Sequence, residues 1–368
     1  MNSKRVLLLF VILIAVVLLS GCSSAALASN SWPGLATDGE NIYLAAGQHV
    51  YAIRISDGRE LWRYPGKATN SLLFIAPPVI APDGTILLGS IGSDHRLVAI
   101  DPSHIDVETN APQEAWVFSG AADRWIAAPL IMDDKVFAPN TDGNLYVLSL
   151  GDGLTTKTAE RVIELGGSLW AQPVSDGSLV IVPAMNHRLH AIDAQSYEVA
   201  WPAIDLGGAI PGTPLVASDG MVYAGSLASE VVKVSPDTGT AVPFASAQGW
   251  VWGGPVQADD RFYFGDLEGY FYAVSSDGKP LWTIQPDGPI TGSPLVMSDH
   301  IVFATESGSV YAVDQEGKIL WQRAVGGQIY PSPVVGGDRI FVAPMGADYL
   351  LSALDANGNM VWNFQPEK

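Results

Sequence analysis

The chain has 368 residues, with 38 acidic against 19 basic side chains, a formal charge of −19 and one cysteine. That length can bury a core large enough to do without disulfides, and a single cysteine excludes any within the chain. The acidity argues against nucleic acid and anionic lipid surfaces as partners, since both need a basic patch, and is compatible with solubility or with a basic protein partner.

At the start of the chain, Lys4 and Arg5 precede an uninterrupted apolar run from Val6 to Leu19, which leads through Ser20-Gly21 into Cys22. The run is short of the roughly 20 residues that a membrane-spanning helix needs. It fits the apolar core of a secretory signal peptide with small residues at the cleavage site. Leu19-Ser20-Gly21-Cys22 resembles the lipobox of bacterial lipoproteins, whereas a plain signal peptide would make the cysteine accidental. The resemblance implies removal of residues 1–21 and acylation of the Cys22 sulfur and its new amino group. More than one acyl chain is what stable anchoring requires. Residues 22–31 would then be a lipidated tether of small polar residues, and losing Lys4 and Arg5 takes the formal charge to −21. Ser23 stands where an aspartate retains many lipoproteins at the inner membrane. The resemblance therefore implies an extracytoplasmic site, at the outer membrane where the bacterium has two.

Residues 32–368 read as one repeating domain. Eight units open at Pro33, Pro78, Pro129, Pro173, Pro214, Pro255, Pro294 and Pro333, with separations of 45, 51, 44, 41, 41, 39 and 39 residues. In seven of the eight, Val or Leu follows the proline. Within a unit come a short apolar strand, a hairpin turn such as Asp83-Gly84 or Asp219-Gly220, and an alternating strand such as "MVYAG". A third strand such as "VYAV" and a last strand that usually ends at Trp complete it. Several short strands at a period near 40 are the signature of a propeller. The expectation is all-β: an eight-bladed β-propeller of four-stranded antiparallel blades, with no amphipathic helix in the mature chain. The last unit already contains its outer strand, "NMVWNF", so the N-terminus has little to add to it.

A finer motif runs through the third and fourth strands: Ala-x-Asp, then Gly, then Trp. Ala312, Asp314, Gly317 and Trp321 show it, as do Ala353, Asp355, Gly358 and Trp362. The fourth unit has Tyr197 at the glycine, and the first has Arg54 for the aspartate. This pattern resembles the tryptophan-docking repeat of quinoprotein-dehydrogenase-like propellers over nearly all of residues 32–365. Each docking Trp should pack against the next blade and give its indole N–H to an acceptor. Six units supply one: Trp62, Trp116, Trp201, Trp282, Trp321 and Trp362. Units three and five have "VIEL" and "VPF" instead, so those junctions should be weaker or packed differently.

The resemblance admits quinone-dependent dehydrogenases, whose alcohol-oxidising members carry a vicinal cysteine pair, calcium and a catalytic aspartate. No second cysteine exists here, and no acid aligns with those roles, so no catalytic residue, cofactor or metal is assigned. Asp133-Asp134 and Asp259-Asp260 fall at first-hairpin turns. His187 and His190 form an H-x-x-H, but on a strand residues three apart point to opposite faces. His190 fills the slot of Tyr272 and Tyr311, and His95 and His187 fill a turn-glycine position.

Five further tryptophans, Trp32, Trp125, Trp170, Trp250 and Trp252, lie in segments joining one unit to the next. Phe74, Ile210, Ile290 and Tyr330 take the same place in other units. All these segments share one face near the channel mouth. They either plug the funnel or form a recognition rim, for which the candidates are Phe74, Arg124, Trp125, Trp170, Trp250, Trp252 and Tyr330. In plan the chain is similar to the propeller lipoproteins of outer-membrane barrel assembly, which implies a non-catalytic scaffold with an envelope protein as partner. The alternative is a propeller that binds a small ligand, a quinone or a glycan, in the aromatic funnel.

Overall fold

The computed structural model describes residues 32–151 and 153–367. The signal peptide, Cys22 and the tether lie outside them. Every regular element among the described residues is a strand, and the 32 strands form eight four-stranded antiparallel sheets. Each sheet is a simple meander of consecutive strands, so the chain builds an eight-bladed β-propeller. The blades run Gly34–Tyr64, Val79–Phe118, Leu130–Glu164, Val174–Asp205, Leu215–Ser246, Val256–Ile284, Leu295–Ala324 and Val334–Phe364. Each first strand starts on the residue after one of the eight repeat prolines. A proline there interrupts no ladder, because it sits before the first paired residue.

First strands of neighbouring blades touch one another, so they line the axis and the fourth strands face outward. Burial follows from that order. The second strand of blade one, Asn41–Ala46, is buried on both faces through its middle, because blades pack against it on both sides. The outer strand Ile319–Ala324 of blade seven alternates exposed and half-buried residues. Eight apolar clusters form the core, one at each junction between consecutive blades. The cluster that closes the ring sets Leu35, Ile42, Leu44 and Ile53 of blade one against Phe341, Leu351, Ala353 and Phe364 of blade eight. Among the described residues, blade eight is complete with four consecutive strands of its own.

The repeat motif is the seal at these junctions. The indole N–H of Trp201, Trp282, Trp321 and Trp362 donates to the carbonyl of Pro236, Gln315, Ala356 and Ile55 respectively, at 2.8–3.1 Å. Each acceptor lies in the turn between third and fourth strands of the next blade, and Trp362 reaches blade one. The ring then lies over the turn glycine. A Cβ on Gly317 would stand 2.6 Å from the Trp282 ring, and one on Gly358 would stand 2.5 Å from Trp321. Both glycines also have positive φ. Tryptophan and glycine in this motif therefore belong to different blades. Trp62, Trp116 and Trp201 are buried, and Trp282, Trp321 and Trp362 half-buried. Trp116 is sealed differently, with Lys157 Nζ 5.4 Å from its ring centroid and no hydrogen-bond partner for Nε1 among the described residues.

The two units without the tryptophan are packed differently, as expected. In blade five, Phe244 packs edge-on against Tyr223 at 4.7 Å and lies against Gly278 of blade six. In blade three, Arg161 holds the docking position opposite Val147 and pairs with Glu198 of blade four at 2.7 Å. Tyr197, at the glycine position of blade four with φ of 61°, packs back against Phe137 of blade three.

Candidate functional site

The antiparallel meander puts the interblade linkers and the second-to-third turns on one face, and both other hairpins on the opposite face. On the linker face, four of the sequence-predicted aromatics come together from distant parts of the ring. Trp32, leading into blade one, stacks on Tyr330 from the linker before blade eight, with centroids 5.1 Å apart and planes at 10°. Trp32 also meets Trp252, from the linker before blade six, edge-on at 5.3 Å. Trp252 in turn meets Trp170, from the linker before blade four, at 6.5 Å. Contacts between linkers so far apart in the ring must cross its axis. The set therefore caps the channel and presents its outer surface to solvent.

Exposure divides the candidates. Trp170 is 37% exposed and Trp250 is 54% exposed, while Trp32, Trp252 and Tyr330 are half-buried. Trp170 gives its indole N–H to Ser168 Oγ at 2.9 Å. Arg124 is exposed, but its guanidinium pairs with Asp123 at 3.3 Å and joins no ring of the set. Two candidates are corrected. Phe74 and Trp125 are each 1% exposed and belong to the core. Trp125 gives its N–H to the His95 carbonyl at 2.8 Å and packs on Phe118 and Tyr146, in space left by Gly89. Phe74 is wedged between Gly47 and Ser90 by bridges to both. Ile210 and Ile290, the aliphatic counterparts, are fully buried.

Polar residues missed in the sequence hold the aromatic linkers in place. Asp266, fully buried at the end of a second strand, accepts the Gly249 N–H at 2.9 Å, the Tyr270 N–H at 2.9 Å and the Tyr272 hydroxyl at 2.7 Å. A buried carboxylate is tolerated only when so satisfied. The three bonds fix the start of the turn that carries Trp250 and Trp252. Burial pushes the Glu306 carboxyl up, and burial together with the Glu306 charge pushes the Tyr330 phenol up, so an acid borders the set. A strand end followed by Asp and, six residues on, the third-strand Tyr272 is the signal in the sequence for the Asp266 support.

The H-x-x-H residues are apart in role. His187 is exposed at a turn with φ of 72°, and His190 is buried with no hydrogen-bond partner for Nε2 among the described residues. Burial, and secondarily the Arg188 charge, pull the His190 pKa down to about 4. His95 also has positive φ, as its turn position requires. Asp133 and Asp259 do so too, and both sit in hairpin turns. Among the described residues, no three His, Cys, Asp or Glu side chains gather to hold a metal ion.

Comparison with known proteins matches this geometry. The chain is similar to the crystal structure of BamB from Moraxella catarrhalis, with a TM-score of 0.67 and 20% identity over 91% of this chain and 94% of that one. It is similar in fold to the computationally designed Ika8 protein, with a TM-score of 0.69 and 13% identity over 91% and 96% of the two chains. No curated protein matches it in sequence. The family described as "Outer membrane protein assembly factor BamB" matches residues 22–242, 227–316 and 296–368. A PQQ-repeat β-propeller over its described length, the chain belongs to the BamB family.

Proposed function

We propose that the protein is a lipid-anchored, non-catalytic scaffold of the bacterial envelope that holds a protein partner through its linker face and serves in outer-membrane protein assembly. The observation that carries this reading is the contact set Trp32, Tyr330, Trp252 and Trp170, with exposed Trp250 in the same linker as Trp252. Half-exposed tryptophans held rigidly by their neighbours lose little entropy on binding and make strong anchors. The family description, an assembly factor, supports the same role. The tether of residues 22–31 can span at most about 35 Å. It enters the propeller at Trp32, itself one of the set, so a partner on this face would be held near the membrane.

The test uses the lipidated chain in cells. A photo-crosslinking residue at position 170 or 250 should capture a discrete envelope protein, and replacing Trp170, Trp250 and Trp252 together by Ala should abolish its co-purification. Cys22→Ala should take up no labelled palmitate and should mislocalise. A folded propeller that captures no envelope protein, yet shows saturable tryptophan quenching by a quinone or a sugar, would establish the ligand-binding alternative instead. The stacked Trp32–Tyr330 pair weighs against that alternative, because a planar ligand would have to part rings already in contact.

A further inference from the structure

The face opposite the linkers carries a cleft at the junction between blades three and four, where the repeat departs from its rule. The cleft has a volume of about 470 Å³. Its walls are the first hairpins of blades three and four and the turn between the third and fourth strands of blade four. Phe137 and Tyr197 supply an aromatic wall, their rings 6.1 Å apart. Elsewhere the carbonyl one residue after the motif's Asp position, as in Gln315 and Ala356, receives an indole N–H from the previous blade. The equivalent carbonyl here belongs to Ala194, which lines the cleft and accepts no hydrogen bond among the described residues. Among the residues that line the cleft, Asp133, Asp134 and Asp193 stand against Lys135, whose ammonium is already held by Asp134 and Glu160, and Arg161 of the same junction is paired with Glu198.

We propose that this cleft is a peptide-binding site that takes a tryptophan side chain flanked by Lys or Arg from a partner protein. The Tyr197 ring already takes the seat beside Phe137 that a docking indole fills elsewhere, so the incoming indole would enter the cleft against that aromatic wall, with its N–H on the Ala194 carbonyl. The aspartates select basic neighbours, and an excess of carboxylates at the rim speeds encounter with a cationic segment. The site is independent of the linker face.

The probe is acetyl-Lys-Trp-Lys-amide carrying 5-fluorotryptophan, observed by fluorine NMR so that the protein's eleven tryptophans stay silent. Saturable broadening is expected with the full chain, and acetyl-Lys-Ala-Lys-amide should not compete. Asp133→Asn with Asp134→Asn should weaken binding at least fivefold at low salt, with the difference shrinking as salt rises. Arg161→Trp with Tyr197→Gly restores the repeat in cis, and should raise the melting temperature and abolish binding. Trp170→Ala with Trp250→Ala should bind the probe as the wild type does, whatever becomes of the linker-face partner. No saturable binding, equal competition by the alanine peptide, or unchanged affinity in the aspartate variants would overturn the proposal. So would full binding by a folded Arg161→Trp/Tyr197→Gly protein.

Discussion

Blades four and seven carry the same meander but treat the repeat oppositely. Blade seven keeps Gly317 in its turn and receives Trp282 over it, with Tyr311 in the third strand. Blade four has Tyr197 in place of the glycine and His190 in place of the tyrosine, and meets Arg161 where a tryptophan would arrive. The linkers before both blades bury an aliphatic residue completely, Ile290 and Leu169, and the next residue is the buried Thr291 before blade seven but Trp170, 37% exposed, before blade four. The contrast teaches that at the junction of blades three and four the two exceptions fall together, whereas blade six keeps Gly278 against Phe244. A turn glycine is required where the previous blade lays a ring or backbone over it, and at blade four, where no tryptophan arrives, the turn supplies the aromatic ring itself. The glycine also relieves a backbone cost, since non-glycine residues at positive φ pay roughly 1–2 kcal/mol.

The largest effect should come from forcing blade four's solution onto blade seven. In Gly317→Tyr the new Cβ would fall 2.6 Å from the Trp282 ring, so the indole must leave its seat and its bond to Gln315. The expected loss is about 3–5 kcal/mol, the range for removing a packed large aromatic, read by urea unfolding. A loss below about 1 kcal/mol would mean that the glycine is not what seats the tryptophan.

The second effect is a pH dependence that blade four has and blade seven lacks. Tyr311 accepts from Gln322 Nε2 at 2.7 Å and stays neutral, whereas His190 is buried with a pKa pulled from 6.5 to about 4. The unfolded chain takes up a proton at this residue below about pH 6.5, while the folded chain does not until about pH 4. Stability from this residue is therefore complete above pH 7.5 and falls as the pH drops through that window, by about 3 kcal/mol in all. His190→Tyr should remove about 2 kcal/mol of the difference between unfolding at pH 7.5 and at pH 5. An identical pH slope in wild type and variant would show that His190 is solvated.

Much of this molecule is written in its sequence, for a physical reason. A propeller reuses one local solution eight times, so each proline, turn and docking tryptophan is seen repeatedly and register is recoverable from spacing. The linker face was legible as a face, because topology alone assigns every linker to it. Depth on that face follows register. Trp125 stands four residues before its repeat proline, the place of Phe74, Leu169, Ile210, Val251, Ile290 and Ile329, all buried, whereas Trp170, Trp252 and Tyr330 stand three before theirs and reach the surface. Gly89 makes room for Trp125 and the His95 carbonyl takes its N–H, and these partners lie some 30 residues away. The cleft was hidden for a related reason. Asp133 and Asp134 read as an ordinary turn, and only pairing Arg161 with Tyr197 across a junction shows what stands beside that turn.

A smaller effect is expected where blade four is returned to the rule without its partner change. Tyr197→Gly loses the ring contact with Phe137, worth about 1 kcal/mol beyond its burial, and relieves a residue held at φ of 61°. The lost burial of the half-buried ring adds about 1–1.5 kcal/mol and the relieved backbone offsets about 1–2, leaving a net loss of about 1 kcal/mol. A loss as large as that of Gly317→Tyr would break the idea that the two blades use opposite solutions.

The smallest effect on stability should come from the linker of blade four. Ile290→Ala, in the linker before blade seven, opens a cavity beside Gly265 and should cost about 2–5 kcal/mol. Trp170→Ala removes a larger side chain, yet that residue has one edge contact with Trp252 and one bond to the nearby Ser168, and much of its ring already faces water. Its cost should be about 1 kcal/mol or less, the ordinary range for a surface change. The same substitution should weaken capture of the envelope partner by at least tenfold if Trp170 is an anchor. Thermal unfolding and crosslinking yield measured on one preparation separate the two roles. A stability loss matching that of Ile290→Ala, with capture unchanged, would make Trp170 part of the plug alone and leave Trp250 as the exposed tryptophan of that face.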